Sequence, residues 1–218
     1  MNESILHTNN NYQFSKTNRM KLYVKYMVCF RDKLYVKSVL NKHGLNYRIT
    51  VHGAIEILEE ITKIQFYELK LGLSKSGLKL LDAKESMLID RIINTIIEVI
   101  HYSDTLPKVN FEELISDFAG SGKESILKIF TDVKGMSVLQ FIITQKIERA
   151  KELLVYEDMP VQDIAELLNY KNQDYLIVQF EKTTGLTPFY FKRLKNERMR
   201  ITEKYINSTH LNVAGVSS

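Results

Sequence analysis

The stretch from Ser137 to Arg193 constrains this chain most, because its apolar positions recur at a helical period and are punctuated by two prolines and a glycine. Phe141, Ile142, Ile143, Ile147, Ala150, Leu153 and Leu154 recur at three- and four-residue spacing, behind a serine suited to an N-cap. That spacing predicts one long helix from Ser137 to Tyr156. Pro160 follows where a first helical turn tolerates a missing N–H. The segment VQDIAELLNY then places Ile164, Ala165 and Leu168 on one face. A second helix, NQDYLIVQFEKTTG, bears Tyr175, Leu176 and Phe180 and stops at Gly185, and Pro188 opens a short aromatic and basic helix, LTPFYFKRL. Ala165 is small enough for two helices to cross closely on either side of a tight turn. These are the physical requirements of a helix-turn-helix, whose second helix is offered to a DNA major groove.

Length and composition set the frame. A chain of 218 residues suits two small domains, and 44% hydrophobic with 26% charged residues is a globular composition. The apolar face of residues 84–101 is broken by Asp90, Arg91, Asn94 and Glu98, so no segment reads as membrane-spanning. The first residues lack an apolar secretion core. A single cysteine excludes an internal disulfide and agrees with a reducing, cytoplasmic location. Net charge is +4, yet Thr105–Arg200 holds 14 Lys/Arg against 14 Asp/Glu, whereas Met20–Asp104 holds 13 against 10. The dense basic cluster is Lys192, Arg193, Lys195, Arg198 and Arg200. Charge therefore permits nucleic-acid binding without arguing for it. Enzyme chemistry is not expected: there is no Gly-rich phosphate loop, no H-E-x-x-H and no nucleophile elbow, and the five histidines are scattered.

Taken in order, residues 1–19 are polar, Asn-rich and aperiodic and read as a disordered tail. KLYVKYMVCF alternates as a strand with Leu22, Val24 and Tyr26 on one face, and RDKLYVKSVLNKHG reads as a helix closed by Gly44. NYRITVHG and AIEIL alternate on either side of Gly53, which suggests a hairpin. Thr62 with Gln65 forms a capping-box start for a helix through Leu69 and Leu73, stopped at Ser76–Gly77, and LKLLD suits a last strand. The order β-α-β-β-α-β implies a small ferredoxin-like sandwich over residues 20–83. The helix Met87–Tyr102 carries a broad isoleucine stripe, and Ile89, Ile92, Ile96 and Val99 fit a/d spacing. It suits either dimerisation through a linker segment (residues 84–104) or packing on its own domain. Thr105–Leu106–Pro107 marks the domain boundary, and residues 201–218 read as a second disordered tail. The fold class is α+β: a ferredoxin-like sandwich followed by an all-α double helix-turn-helix domain over residues 105–200.

The order K-I-E-R-A-K-E-L-L, then D-I-A-x-x-L-x-Y, then F-x-K-x-x-G-L-T-P resembles the DNA-binding region of AraC/XylS-type bacterial transcription regulators over roughly Val109 to Lys195. That resemblance implies two helix-turn-helix units joined by the long helix, the first of them in FEELISDFAGSGKESILKIFTDVKGMS. Phe130 and Gly135 stand where the family has a core aromatic and a turn glycine. It further implies base-facing positions at Glu124, Leu127 and Lys128 in the first unit, with Lys123 and Ser125 near the backbone. In the second unit the corresponding positions are Gln173, Asp174, Ile177 and Val178. The family carries basic residues where Val178 and Glu181 stand, so this chain departs from it there. Lys128 suits guanine or phosphate, Gln173 adenine and Ile177 a thymine methyl, while a carboxylate can specify only a cytosine amino group. Leu127, Ile177 and Val178 could instead face protein. Lys192 and Arg193 would hold phosphates.

In the amino-terminal half, M-V-C-F-R-D after the first strand resembles the heavy-metal-associated domain, whose Met-x-Cys-x-x-Cys loop binds Cu(I) or Zn(II) through two thiolates. Met27 and Cys29 match, and Asp32 replaces the second cysteine. Cys29 is thus the candidate metal residue, with copper or zinc the candidate ion, against the alternative of a small residue at a strand end. Together these features imply a sequence-specific transcription regulator whose partners are double-stranded DNA, RNA polymerase and a second copy of itself. It would carry no obligatory cofactor and would respond to a metal or thiol-reactive signal. The alternatives are a degenerate helix-turn-helix serving as a protein-interaction module, or a metal-handling protein.

Overall fold

The structure is a computed structural model that describes residues 20–50, 52–103, 111 and 122–214, with side chains described up to residue 206. The expected tail at residues 1–19 and the expected boundary at 105–107 lie outside the described residues. The chain divides into two compact units, Met1–Met87 and Leu88–Ser218.

In the first unit the alternating segments form five short strands: β1 (Met20–Leu22), β2 (Val24–Lys25), β3 (Tyr47–Ile49), β4 (Ile55–Ile57) and β5 (Lys79–Leu80). Two helices, α1 (Phe30–Lys42) and α2 (Lys63–Ser74), fill the intervals, so the observed order follows the β-α-β-β-α-β pattern with its first strand in two pieces. All pairings are antiparallel. β4 lies between β1 and β3, in register Leu22↔Ile55 and Tyr47↔Ile57, and β2 pairs β5 with Val24 opposite Leu80. Tyr26, expected to continue the first strand, has a positive φ of 67° and ends it. Leu22, Tyr23, Val24 and Lys25 are all buried, so this segment is covered on both faces and does not show the one-sided alternation read from sequence.

The core of this unit joins Leu22, Val24, Ile55, Ile57 and Leu80 from the strands to Val36, Val39, Leu40, Leu69 and Leu73 from the helices. Contact between α1 and α2 depends on Gly72. A Cβ there would lie 2.8 Å from Val39 Cγ1, closer than carbon atoms approach, and the Tyr35 hydroxyl donates to the Gly72 carbonyl at 3.0 Å. The capping box is formed as its residues predict: Thr62 Oγ1 accepts from Gln65 N–H at 3.1 Å, and Gln65 Oε1 accepts from Thr62 N–H at 2.9 Å. The exposed Arg48 guanidinium pairs with the buried Glu56 carboxylate across β3 and β4, which gives that acid a partner.

The isoleucine helix is α3 (Ala83–His101). Ile89, Ile92, Ile93, Ile96 and Ile100 are each at most 2% exposed within the single chain. These five positions of the stripe are therefore covered within one chain.

The second unit continues with α4 (Lys123–Lys134), α5 (Val138–Tyr156), α6 (Val161–Leu167), α7 (Gln173–Thr184) and α8 (Pro188–Ala214). Its core gathers Ile147, Ala150, Leu153 and Leu154 of α5 with Ile164, Ala165 and Leu168 around α6, and Leu176 and Phe180 of α7. α8 differs from expectation. Instead of giving way to a disordered tail at Ile201, it runs on to Ala214, because nothing between Arg200 and Ala214 breaks a helix: the segment holds no proline or glycine.

Candidate nucleic-acid interface

Three neighbouring features fix the turn between α6 and α7. Pro160 caps α6 with φ −61°, and α6 ends after two turns, where the Tyr170 N–H returns to the Ala165 carbonyl at 2.8 Å and Asn169 takes a left-handed φ of 52°. Asn tolerates that conformation better than most residues. Lys146 of α5 reaches across to donate to the Leu168 carbonyl at 2.8 Å and lies 5.3 Å from the centre of the Tyr170 ring. A cation there satisfies a carbonyl at the negative end of α6. Burial lowers the Lys146 pKa and pushes that of Tyr170 up to about 12. Asn172 then starts α7, its side-chain oxygen accepting from the Tyr175 N–H at 3.1 Å. Gly185, at φ 75°, ends α7.

With the turn held, α7 divides cleanly. Leu176 and Phe180 are buried, and Phe180 meets Phe191 of α8 edge to face at 5.6 Å. Gln173, Asp174, Val178 and Glu181 are exposed, and Ile177 is half-buried at the margin. Val178 is 65% exposed, so it faces solvent rather than its own core. Tyr175 is 54% exposed, with the Lys171 ammonium 5.5 Å from its ring centre. It directly precedes buried Leu176, and neighbours on a helix point about 100° apart.

The first helix-turn-helix unit, expected over residues 111–137, is described at Phe111 and from Gly122 onward. α4 covers the anticipated Lys123–Thr131 and ends three residues later at Lys134, before Gly135, whose φ is 68°. Ile126 and Phe130 turn inward, the latter packed edge to face on Phe141 at 5.6 Å. Glu124, Ser125 and Lys128 are exposed, whereas Lys123 and Leu127 are half-buried. Lys123 and Leu127 share one cleft with Lys146, Lys171 and Tyr175, which opens between the start of α4 and the start of α7. From α7 the cleft takes Tyr175, and Gln173, Asp174, Ile177 and Val178 are not among its lining.

The two expected phosphate-binding residues of α8 differ. Lys192 forms an ion pair with Asp158 at 2.8 Å, and that hydrogen bond and charge hold the Asp158 carboxyl below its ordinary value. Arg193 is exposed, its guanidinium 4.5 Å from the Tyr190 ring centre.

Residues 115–193 match the family model of a helix-turn-helix domain. This segment is a helix-turn-helix domain. Over 67 residues the chain is 37% identical to an uncharacterized HTH-type transcriptional regulator, YtdP, of Bacillus subtilis, covering 31% of this chain and 9% of that protein. Over 82 residues it is 27% identical to the bifunctional transcriptional activator/DNA repair enzyme AdaA of the same organism, covering 38% of this chain and 39% of that protein. A likeness of TM-score 0.42 and 23% identity extends to the C-terminal domain of AraT, a response regulator from Geobacillus stearothermophilus, covering 49% of this chain and 84% of that domain. The chain thus spans well under half the length of these two curated relatives.

Cys29, the candidate metal residue, stands apart from the helix-turn-helix domain. It is exposed at the N-cap of α1, and its own N–H and that of Val28 both donate to Asp32 Oδ2 at 2.9 Å. Among the described residues no group of three His, Cys, Asp or Glu side chains could hold a metal ion. No helix among them is long and apolar enough to cross a membrane.

Proposed function

We propose that this protein is a sequence-specific, DNA-binding transcription regulator of AraC type acting in the bacterial cytoplasm. The carrying observation is that the helix-turn-helix domain holds α7 with its core face buried and Gln173, Asp174 and Val178 exposed. In this reading α4 and α7 enter successive major-groove segments on one face of the duplex, held apart by α5. Lys128 and Gln173 read guanine and adenine edges, Ile177 and Val178 meet thymine methyls, and Asp174 accepts from a cytosine amino group. Leu127 contributes an apolar contact at the margin of α4. Lys123, Ser125 and Arg193 hold phosphates, and Lys192 joins them when its bond to Asp158 opens. RNA polymerase is the proposed downstream partner, and no catalytic step is assigned to any residue.

For the amino-terminal unit we propose a ferredoxin-like sandwich. The antiparallel order β5, β2 with β1, β4, β3 supports it, since the doubled first strand then lies at the centre, as that topology requires. Its role as a sensor of metal or thiol signals gains no support from the surroundings of Cys29, because the Asp32 carboxylate already serves two backbone donors. The exposure of Val178 and Tyr175 favours a second reading, a protein-interaction module.

The deciding experiment is selection from a random duplex library at low salt, followed by binding of the recovered sequence across a salt series. An enriched motif, lost in Gln173→Ala, is the expected outcome. A library that shows no enrichment overturns the specific-binding reading and leaves the protein-interaction module.

A further inference from the structure

The helix-turn-helix portion of this chain is acidic. Residues 105–187 hold 9 Lys/Arg against 13 Asp/Glu, whereas α8 alone holds 6 against 2. A protein whose DNA-reading portion carries net negative charge must find its phosphate-neutralising charge elsewhere. Among the described helices of the second unit, α8 is where it is concentrated. At 27 residues the helix is about 40 Å long, and its residues 196–206 are all exposed.

Its six cations fall into two groups. Lys192 is bonded to Asp158, Lys195 lies near the same carboxylate, and Arg198 lines the cleft against Glu148 and Glu152 of α5. The first two are thus engaged by the domain's own acid, while Arg198 is exposed and shares its cleft with Lys151 as well. Arg193, Arg200 and Lys204 are spaced by seven and then four residues, which puts them within about 40° of one another on a single helix face. All three are exposed, and Arg200 is bridged only to exposed Glu197, at 3.2 Å. Such a pair contributes little and exchanges readily for another anion.

We propose that the phosphate contact of Arg193 continues along α8 through Arg200 and Lys204, and that this face is a second DNA-binding element, which lies along the phosphate backbone on the carboxy-terminal side of α7. It spans about 16 Å, carries no sequence-reading group, and adds counter-charge to α4 and α7, which together hold 4 Lys against 4 Asp/Glu. This rests on the reading of the domain as DNA-binding and adds the source of its affinity.

The test is the salt dependence of binding by the full chain to the selected duplex and to a scrambled duplex of equal length. Each phosphate contact contributes about 0.9 to the slope of log K against log salt. Arg200→Gln combined with Lys204→Gln should therefore flatten the slope by about 2 and weaken both duplexes on the order of tenfold, with the preference between them unchanged. Glu197→Gln supplies a gain that misfolding cannot mimic: it frees Arg200 and should tighten both duplexes severalfold. A double variant with the wild-type slope, or a Glu197→Gln that binds no tighter, overturns the assignment to α8 alone. A wild-type protein that binds neither duplex overturns the DNA reading and this element with it.

Discussion

Truncating Phe180 to alanine tests whether the buried face of α7 holds the reading face in place. Phe180 is fully buried among Leu176, Ile164, Ala165 and Ile147, and it meets the Phe191 ring at 5.6 Å with an interplanar angle of 71°. Removing a buried phenyl ring loses its transfer free energy and leaves a cavity that helices on several sides cannot all collapse into. Together these cost about 3–5 kcal/mol. Part of that sum is the edge-to-face contact, about 1 kcal/mol in such pairs. A domain has only about 5–15 kcal/mol of stability in all, so the variant should melt on the order of 20 °C lower. Its affinity for DNA should fall on all sequences alike, because the whole helix loosens.

The contrast is Val178→Ala, two residues earlier on the same helix but 65% exposed. It should change stability by less than about 0.5 kcal/mol, while altering the preference at one base pair. Phe180→Leu, which keeps most of the volume, should cost about 1 kcal/mol. The assay is thermal unfolding by circular dichroism, with hydrogen exchange in α6 and α7 to assign the loss to this unit. A Phe180→Ala protein that melts within a few degrees of wild type would refute the packing argument. A Val178→Ala protein destabilised by more than 1 kcal/mol, the order of a buried contact, would refute the claim that its face meets solvent.

Lys146→Met keeps the length of the side chain but removes the donor to the Leu168 carbonyl, and should destabilise by about 1–2 kcal/mol as judged by denaturant midpoint. In the wild type the depressed Lys146 pKa means that the unfolded chain binds the extra proton below 10.5, so this group's contribution to stability rises with pH towards that value. Tyr170, whose pKa is raised to about 12 from 10.0, contributes stability that is lost as pH climbs between those values. The variant should keep the Tyr170 fall and lose the Lys146 rise. Ile96→Asp puts an unpaired carboxylate at a position with no exposure and should cost several kcal/mol; soluble protein with an unchanged melting profile would show that α3 is not buried there.

What the sequence made legible was local chemistry with a unique geometric answer. The Thr62–Gln65 box, the Ser137 cap and the stops at Gly135 and Gly185 are short-range bonds or φ requirements, and each appears where its residues predict. The periodic run from Phe141 to Leu154 buries the residues it should. Less legible were features decided by what lies across from a residue. Tyr175 and Leu176 are adjacent apolar positions of one helix, and only the position of α5 determines which of them is covered. The long α3 offered a coiled-coil seam or an internal face with equal pattern, and only burial within one chain separates them. The extension of α8 carried no signal at all, since a polar stretch without helix breakers fits a tail as well as a solvated helix.

Asp32 shows how a family pattern can mislead when a residue is judged against the chemistry it replaces. Measured against a second thiol, it is a lost soft ligand. In its own place it is the third residue of α1, where unpaired backbone N–H groups and the positive end of the helix dipole favour an anion. Its carboxylate takes the N–H groups of Val28 and Cys29, and the Cys29 bond is the largest reason its pKa lies below the ordinary value. A depressed carboxylate pKa contributes stability above that ordinary value and loses it as pH falls, so this support is fully present at neutral pH. A thiol at the same position would be a weak acceptor and would leave those donors to water. The substitution therefore removes one half of a soft-metal pair and improves the start of a helix in the same step. The loop that a family pattern would present as a damaged metal site is, by its hydrogen bonds, a well-formed helix cap that leaves an exposed cysteine beside it.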